Sequence, residues 1–334
     1  MSVQSRKNNF MHKRKIGKTT LETSTIMIGG NVFGWTIDEQ RSFDVLDAFM
    51  EAGITAIDTA DAYSRWHPGN KGGESETIIG KWLKKTGRRK DLLIATKVGA
   101  DLGNGTNLKA EHIVASAEKS LRRLQTDHID LYQSHYDDPY TQPEETMKAY
   151  DNLVKAGKVR YVGASNLSRE RIAASLTVSD EAGLVRYQSL QPLYNLYDRE
   201  TFENEYRQFC IDEGISVLPY FGLASGFLTG KYRTEADLSQ SVRGNAVKKY
   251  MDARGQRILA ALDEVSRAAN ASPASIALAW LIAQPTVAAA ISSATSPAQV
   301  IALAKAMELK LDSTQLALLD KASVPDSEKV PGAS

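Results

Sequence analysis

Short apolar runs alternate along the chain with longer segments in which apolar residues recur every three or four positions. The short runs are typical of the buried strands of a parallel sheet, and the longer segments are typical of amphipathic helices. Eight of the short runs predict strands, at Thr25–Gly30, Thr55–Asp58, Leu92–Lys97, Ile129–His135, Val159–Ala164, Tyr187–Pro192, Ile215–Pro219 and Val287–Ile291.

The spacing of the predicted strands indicates the fold. Most successive strand ends are about 30 residues apart, which is the length of one strand followed by one helix. Eight strands that alternate with helices predict an α/β fold, a parallel (β/α)8 TIM barrel. The helical patterns between the strands include Arg41–Ala52, Glu111–Arg123, Glu144–Ala156, Asn204–Glu213 and Pro297–Met307.

Three features lie outside the eightfold pattern. Met11–Ile16 and Glu22–Met27 flank a Gly-Lys turn, which predicts an N-terminal β-hairpin that caps the bottom of the barrel. After the seventh strand, a polar stretch rich in Gly and Ser covers residues 222–250, and loops of this length are usually functional or disordered. The remaining helical patterns are Gln256–Ala269, Ala274–Ala283 and an extra C-terminal helix at Ser313–Ala322.

Composition narrows the class of protein. The chain has 334 residues, 42% of them hydrophobic and 24% charged, which is ordinary for a globular protein. No Pro-, Gly- or Ser-rich linker divides it, so we expect one barrel domain over residues 1–334, with a flexible tail at 1–10. The longest apolar run, Ile276–Ala283, is too short to cross a membrane.

Charge and cysteine content exclude further classes. Lys and Arg number 41 and Asp and Glu number 40, so no overall field attracts nucleic acid or an anionic membrane. One cysteine, Cys210, excludes a disulfide framework and a cysteine-rich metal site. The lone thiol is compatible with a reducing compartment, so we expect a cytoplasmic protein. We also expect no metal site, and either a monomer or a weak homo-oligomer.

Polar residues stand at or just after the end of every predicted strand. In a (β/α)8 barrel these positions converge on one mouth, where the chemistry of such enzymes takes place. A single aspartate at such a position is as often a helix cap, so the joint placement carries the prediction. The residues are Asn31, Asp58, Lys97, His135, Ser165, Asn166, Gln191, Tyr220, Ser292 and Ser293.

Several of these residues lie in recognisable motifs. Residues 58–63 read Asp-Thr-Ala-Asp-Ala-Tyr, Lys97 lies in Ile-Ala-Thr-Lys-Val-Gly, and His135 ends Asp-Leu-Tyr-Gln-Ser-His. With the runs 162–167, 191–195 and 228–232, they make the chain similar to the aldo-keto reductase family from Gly29 to Val300.

The resemblance implies a catalytic set that residue chemistry also supports. Reduction of a carbonyl by hydride leaves a developing alkoxide, which needs a proton from a nearby acid. Tyrosine ionises near pH 10, so its anion needs stabilisation by a cation. By resemblance, Tyr63 is the acid in reduction and the base in oxidation, and Lys97 and Asp58 tune it. His135 orients the carbonyl or shares in the proton transfer.

The resemblance also implies a nicotinamide cofactor. Ser165, Asn166 and Gln191 match the family's carboxamide clamp, and Tyr220 matches its stacking position. The long seventh loop can wrap the pyrophosphate with main-chain N–H groups and two cations. No Gly-x-Gly-x-x-Gly motif supports a Rossmann site. The other implied cofactor contacts are Gly30, Asn31, Val32, Asp58, Phe221, Gly222, Leu223, Ala224, Gly226, Lys231 and Arg243.

The cofactor's 2′-phosphate is the point where the chain departs from the family pattern. Members that prefer NADP usually have Lys or Arg in this segment. Ser293 stands where Lys or Gly is common, Thr295 where Arg is common, and Gln299 where Arg or Gln occurs. No basic residue occurs from Val287 to Ala304. Hydroxyls, one amide and a helix N-terminus remain, so we expect NADP(H) to be preferred modestly and NAD(H) to be accepted also.

The sequence does not identify the substrate. Trp35, Trp66 and Tyr136 follow strand ends and are candidates for the pocket, or else pack within their loops. Aldehydes, sugar-type ketones and polycyclic ketones are all compatible. A serine or metal hydrolase is a weaker interpretation, since neither Gly-x-Ser-x-Gly nor His-x-x-x-His occurs. The alternative from another class is a non-catalytic, cofactor-binding regulatory subunit that resembles potassium-channel β subunits.

Overall fold

A short antiparallel hairpin precedes the barrel in the computed structural model, which describes residues 13–240 and 244–325. Strand β1 (Lys13–Lys15) pairs with β2 (Glu22–Ser24). The predicted arms were longer: residues 11–12 lie outside the described residues, and Ile26 already belongs to the barrel. The predicted flexible tail, residues 1–10, also lies outside them.

The hairpin is attached to the end of the barrel where the strands begin. Nη1 of Arg14 donates hydrogen bonds to the carbonyls of Ile282 (2.7 Å) and Val287 (2.6 Å). Gly17 turns the hairpin with a φ of +55°, and a Cβ there would lie 2.5 Å from the carbonyl oxygen of Gln188. Only glycine combines that backbone conformation with this close approach.

Eight parallel strands form the centre of the molecule, in the order β10-β3-β4-β5-β6-β7-β8-β9. Main-chain bonds between residues 217–219 and 286–291 close the sheet, among them Val217 N–H to Thr286 (2.8 Å) and Ile291 N–H to Pro219 (3.0 Å). The predicted (β/α)8 barrel is therefore confirmed. The strands are β3 (Ile26–Gly29), β4 (Ala56–Asp58), β5 (Leu93–Val98), β6 (Ile129–Ser134), β7 (Val159–Ser165), β8 (Tyr187–Gln191), β9 (Ser216–Val217) and β10 (Ala290–Ser292).

Helices surround the barrel, and many begin at a side-chain cap. Asp38, Ser168 and Ser272 each accept a main-chain N–H of the first turn, which satisfies a donor that has no partner within the helix. The helices are α1 (Glu39–Glu51), α2 (Glu74–Thr86), α3 (Ala110–Leu124), α4 (Pro143–Lys155), α5 (Arg169–Ala182), α6 (Arg207–Glu213), α7 (Gly244–Val247), α8 (Ala253–Ala269), α9 (Pro273–Ala283), α10 (Pro297–Glu308) and α11 (Ser313–Ser323).

The predicted helices agree with these bounds to within a few residues, with one larger difference. Asn204–Glu213 was predicted as one helix, whereas Phe202–Tyr206 form a π-helical turn before α6. In the part of the chain described, no helix has the length and hydropathy needed to cross a bilayer.

The loop after β9 contains short helical turns and is anchored by buried side chains. Ala224–Thr229, Glu235–Gln240 and Lys248–Tyr250 form 3₁₀ turns around α7. Phe227 and Tyr250 are buried, and their rings stack with centroids 5.6 Å apart. These contacts anchor the two ends of the long loop that the sequence predicts at residues 222–250.

The barrel interior is apolar where the strands begin and polar where they end. Successive residues of a strand face opposite sides of the sheet, so Leu131 and Gln133 both point inward. Leu131 packs with Met27, Ala95 and other buried apolar residues. One layer higher, Asp58, Lys97, Gln133 and Gln191 occupy the interior. This change of polarity places the candidate site at the carboxyl ends of the strands.

Candidate active site

Lys97 lies at the centre of the polar layer, and its side chain is fully buried. Its ammonium donates to Asp58 Oδ2 (2.7 Å), to the hydroxyl oxygen of Tyr63 (2.8 Å) and to the carbonyl of Thr59 (2.9 Å). An ammonium has three N–H donors, so all three are used. β4 and β5 position the two ends of the ion pair, since Asp58 ends β4 and Lys97 lies one residue before the end of β5.

Two glutamine side chains hold Asp58 from the other side. Nε2 of Gln191 donates to Asp58 Oδ1 (2.9 Å), and Nε2 of Gln133 donates to the same oxygen (3.3 Å). The Tyr63 hydroxyl donates to Asp58 Oδ2 at 3.2 Å. The carboxylate is therefore fixed by donors on both oxygens. Gln133 was not predicted, although its position two residues after the inward-facing Leu131 on β6 was a signal for it.

Burial and charge set the acidity of these groups. Burial, and then the negative charge of Asp58, raise the pKa of Tyr63 well above its ordinary value. Burial lowers the pKa of Lys97, while Asp58, Asp61 and Glu76 oppose that effect. The cation 2.8 Å from the Tyr63 oxygen favours the phenolate and so acts against the effect of Asp58. Lys97 is thus the group placed to lower the cost of ionising Tyr63.

His135 follows β6 at the same mouth. Its ring centroid is 5.9 Å from that of Tyr63, and its Nδ1 has no hydrogen-bond partner among residues 13–240 and 244–325. Burial, and then the charge of Lys97, lower the pKa of His135 well below its ordinary value, so the ring is neutral at neutral pH. A neutral imidazole at the mouth of the barrel, with its ring edge-to-face with that of Tyr63, can donate one hydrogen bond and accept another.

The predicted carboxamide clamp is joined by hydrogen bonds to the cluster of Asp58, Tyr63 and Lys97. Ser165 Oγ donates to the carbonyl of Gln191 (2.8 Å), and Asn166 Nδ2 donates to Ser165 Oγ and to the carbonyl of His135 (both 2.9 Å). The Tyr220 hydroxyl donates to Asn166 Oδ1 (3.0 Å). Amide and hydroxyl groups beside an aromatic ring fit a nicotinamide, whose carboxamide both donates and accepts.

The seventh loop continues from Tyr220. Phe221, Ala224 and Ser225 have positive φ values, which makes the main chain turn tightly there. Lys231 lies beside Gly226, with its Nζ 4.8 Å from the centroid of the Tyr232 ring. Arg243 lies outside the described residues. The predicted contacts that share this turn are Phe221, Gly222, Leu223, Ala224 and Gly226.

The turn after β3 meets the end of β10. Gly30–Val32 form a 3₁₀ turn, and Gly30 and Val32 are buried. Ser293 Oγ donates to Asn31 Oδ1 at 2.6 Å. Two residues further along, the N–H of Thr295 donates to Oε1 of Gln299 at 2.8 Å. The four predicted residues of this region thus form two hydrogen-bonded pairs, Asn31 with Ser293 and Thr295 with Gln299.

One basic side chain reaches this segment from a distant part of the chain. Arg41 lies in the first turn of α1, and its Nε donates to the carbonyl of Thr295 at 3.1 Å. No basic residue occurs from Val287 to Ala304, so the sequence of this segment predicts no cation there. Arg41 was not predicted because 254 positions separate it from Thr295.

Aromatic rings line the mouth around Tyr63. Trp66 is 46% exposed, with its ring 6.0 Å from that of Tyr63 and 5.3 Å from that of Trp35. On the other side, the Tyr136 ring stacks on His135 at 4.8 Å and is 44% exposed. Of the three residues predicted for the substrate pocket, Trp66 and Tyr136 therefore lie next to Tyr63 and His135, and Trp35 packs on Trp66. Within the described residues, no group of three His, Cys, Asp or Glu side chains is placed to hold a metal ion.

The fold is a (β/α)8 barrel, and the candidate site lies at the carboxyl ends of its strands. A model of the aldo/keto reductase family matches residues 25–324, and the chain belongs to that family. It is therefore an oxidoreductase that acts on carbonyl compounds and alcohols with a nicotinamide cofactor.

Several curated proteins are similar over nearly their full length. The aldo-keto reductase YhdN of Bacillus subtilis is 34% identical over 91% of each chain. Protein tas of Escherichia coli is 30% identical over 93% of this chain and 97% of its own. A probable voltage-gated potassium channel subunit beta of Arabidopsis thaliana is 29% identical over 95% of this chain and 99% of its own.

Proposed function

We propose that this protein interconverts an aldehyde or ketone and its alcohol, with Tyr63 as the proton donor in reduction and the acceptor in oxidation. The observation that carries the proposal is the buried ammonium of Lys97, which donates to both Asp58 and the Tyr63 oxygen. A cation held in this way lowers the free energy of the phenolate in either direction of the reaction.

The proposed reduction uses each residue at a stated atom. Ser165, Asn166 and Gln191 would hold the nicotinamide, which when bound would supply a hydride for the carbonyl carbon. The carbonyl oxygen lies between the Tyr63 hydroxyl and the neutral His135 ring, which orients it by a hydrogen bond. As charge develops on that oxygen, the Tyr63 hydroxyl turns from Asp58 to the substrate and gives up its proton. Although the pKa of Tyr63 is raised, an alkoxide is a much stronger base, so the transfer is downhill.

The cofactor is proposed to extend from the clamp across the mouth. Ser165, Asn166 and Gln191 would hold the carboxamide, and Tyr220 would stack on the ring. Residues 221–226, Lys231 and Arg243 would hold the pyrophosphate. Gly30, Asn31, Val32 and Asp58 would line the other side. The support is the continuous hydrogen-bond network that joins Asp58, Gln191, Ser165, Asn166 and Tyr220.

We infer that NADP(H) is the preferred cofactor and that Arg41 is the basic partner of its 2′-phosphate. Ser293, Thr295 and Gln299 would supply neutral donors. Arg41 reaches the same segment and uses its Nε on Thr295, and guanidinium groups bind phosphate well because they carry several donors. A hydrogen bond to a charged group contributes about 1.5–3 kcal/mol, so NADH remains usable.

The substrate pocket is proposed to lie between Trp66 and Tyr136, with Trp35 behind Trp66. Its support is the exposure of these rings beside Tyr63 and His135. We further propose a single-domain protein of the cytoplasm, a monomer or weak homo-oligomer, and the buried free thiol of Cys210 agrees with a reducing compartment.

The assay that tests the proposal mixes the protein with NADPH and an activated aromatic aldehyde and records the loss of NADPH absorbance. We expect turnover that depends on both components. If NADPH binds but no aldehyde, ketone or alcohol in a broad panel reacts, the catalytic proposal is wrong.

That outcome would favour a second candidate, a cofactor-binding regulatory subunit. The observation behind it is the similarity to proteins named as potassium channel β subunits in Arabidopsis thaliana and in Oryza sativa. The cluster of Asp58, Tyr63 and Lys97 favours the catalytic function over the regulatory one, because a regulatory role does not require a lysine buried against a tyrosine hydroxyl.

A further inference from the structure

Asp61 is a buried carboxylate that the proposed reaction does not use. It lies on the loop between Asp58 and Tyr63, is 6% exposed, and its N–H donates to the carbonyl of Lys97 at 3.3 Å. Its Oδ1 has no hydrogen-bond partner in the part of the chain that the structure describes. A buried carboxylate oxygen without a donor is costly when it is charged.

A second buried carboxylate lies close to Asp61. Glu76 on α2 is fully buried and accepts from Thr96 Oγ1 (2.5 Å) and Arg123 Nε (2.6 Å). Arg123 on α3 fits there because residue 73 is glycine: a Cβ at Gly73 would lie 2.5 Å from Arg123 Nε. Both oxygens of Glu76 are therefore satisfied, which leaves Asp61 as the carboxylate with an oxygen that receives no donor.

The charges in this region do not balance when every group is ionised. Asp58, Asp61 and Glu76 carry three negative charges, whereas Lys97 and Arg123 carry two positive charges. A net charge in a buried cluster is unfavourable, and one added proton removes it. Asp61 is the group that gains most from that proton. Burial, and then the charge of Glu76, raise the pKa of Asp61 to about 7.

We propose that Asp61 is a positioning residue for the reaction: acting through Lys97, its protonation state sets how readily the Tyr63 hydroxyl gives up its proton. The inference rests on the proposed function. With Asp61 neutral, formation of the phenolate takes the cluster from no charge to one negative charge. With Asp61 ionised, the same step produces two negative charges, so the pKa of Tyr63 rises.

Asp61 is the group in this cluster that titrates near neutral pH. The charged groups around it are Glu76 on α2, Lys97 on β5 and Arg123 on α3. Its charge also acts on Tyr132 of β6 and Tyr150 of α4, but burial raises the pKa of both well above the ordinary value. Neither tyrosine therefore contributes a pH-dependent change near 7, whereas Asp61 does.

The first test is the pH profile of alcohol oxidation at saturating cofactor. Asp61→Asn keeps the shape of the side chain and can never ionise. We expect its basic limb to lie about one pH unit below that of the wild type, because no second negative charge opposes the phenolate. Asp61→Glu should restore the wild-type profile. Asp151→Asn, which changes a buried carboxylate on α4, is the control and should leave the profile unchanged.

The outcomes separate this inference from the proposed function. No turnover by the wild type would overturn the proposed function. An active wild type whose basic limb is unchanged in Asp61→Asn would overturn only the role of Asp61.

Infrared spectroscopy gives a readout that needs no turnover. The wild type should show the C=O stretch of a protonated carboxyl group that disappears as the pH rises through about 7. Isotope-labelled aspartate should move the band, and Asp61→Asn should lack it. Absence of such a band in the wild type would overturn the inference, even if the variant does not fold.

Discussion

The ammonium nitrogen of Lys97 lies 2.8 Å from the hydroxyl oxygen of Tyr63 and 2.7 Å from a carboxylate oxygen of Asp58. Asp58 also accepts a hydrogen bond from the Tyr63 hydroxyl at 3.2 Å. The two neighbours of Tyr63 therefore have opposite effects on its acidity. Asp58 favours the phenol and Lys97 favours the phenolate. The balance between them determines the pH at which Tyr63 can act as a base.

Replacement of Lys97 by methionine removes the cation and retains most of the side-chain volume. The pKa of Tyr63 should then rise, and the basic limb of the alcohol-oxidation profile should move to higher pH. The loss of rate should be larger at neutral pH than at high pH. Lys97→Arg keeps the charge and should move the limb less. An active Lys97→Met enzyme with the wild-type profile would show that Lys97 does not tune Tyr63.

Replacement of Arg41 by glutamine should weaken binding of NADPH and leave NADH unaffected. Loss of one hydrogen bond to a charged phosphate corresponds to roughly a 10- to 150-fold change in Kd. Fluorescence titration with both cofactors measures it, and 2′,5′-ADP should lose the same factor. Lys305→Gln, at the other end of α10, is the control. Equal loss for NADPH and NADH would place Arg41 outside the 2′-phosphate site.

The stability of the protein should depend on pH through Asp61. Its pKa is about 7 in the folded protein and near 3.9 in an unfolded chain, so the folded state binds this proton more tightly. The proton on Asp61 therefore adds on the order of 4 kcal/mol to the free energy of unfolding. This contribution is fully present below pH ~4 and is lost as the pH rises through about 7. Urea unfolding at several pH values should show a decline that is much smaller in Asp61→Asn. Parallel curves for the two proteins would contradict the shifted pKa.

The sequence predicts the barrel because strand and helix periods are local properties. The eight apolar runs and the residues that end them are visible without the structure, and Asp58, Lys97 and His135 are found in this way. Contacts between distant segments are not visible in the same way. The pattern of β6 predicts that Gln133 faces inward, but not that it donates to Asp58, which is 75 positions away.

The sequence also does not show which individual polar residues are buried. Asp61 follows Asp58 in a loop, and nothing local shows that α2 and α3 bring Glu76 and Arg123 against it. Arg41 lies in an ordinary amphipathic helix, and only the packing of α1 beside α10 brings it to Thr295. Such residues depend on tertiary packing, which periodicity does not encode.

The central claim is that the Tyr63 hydroxyl transfers the proton, and Tyr63→Phe tests it most directly. Phenylalanine removes one oxygen and keeps the ring that packs against Trp66 and His135. Turnover should fall by at least ~10²-fold, the lower range for loss of a general acid. NADPH binding, followed by fluorescence quenching, should change little. A Tyr63→Phe enzyme with turnover close to that of the wild type would contradict the account.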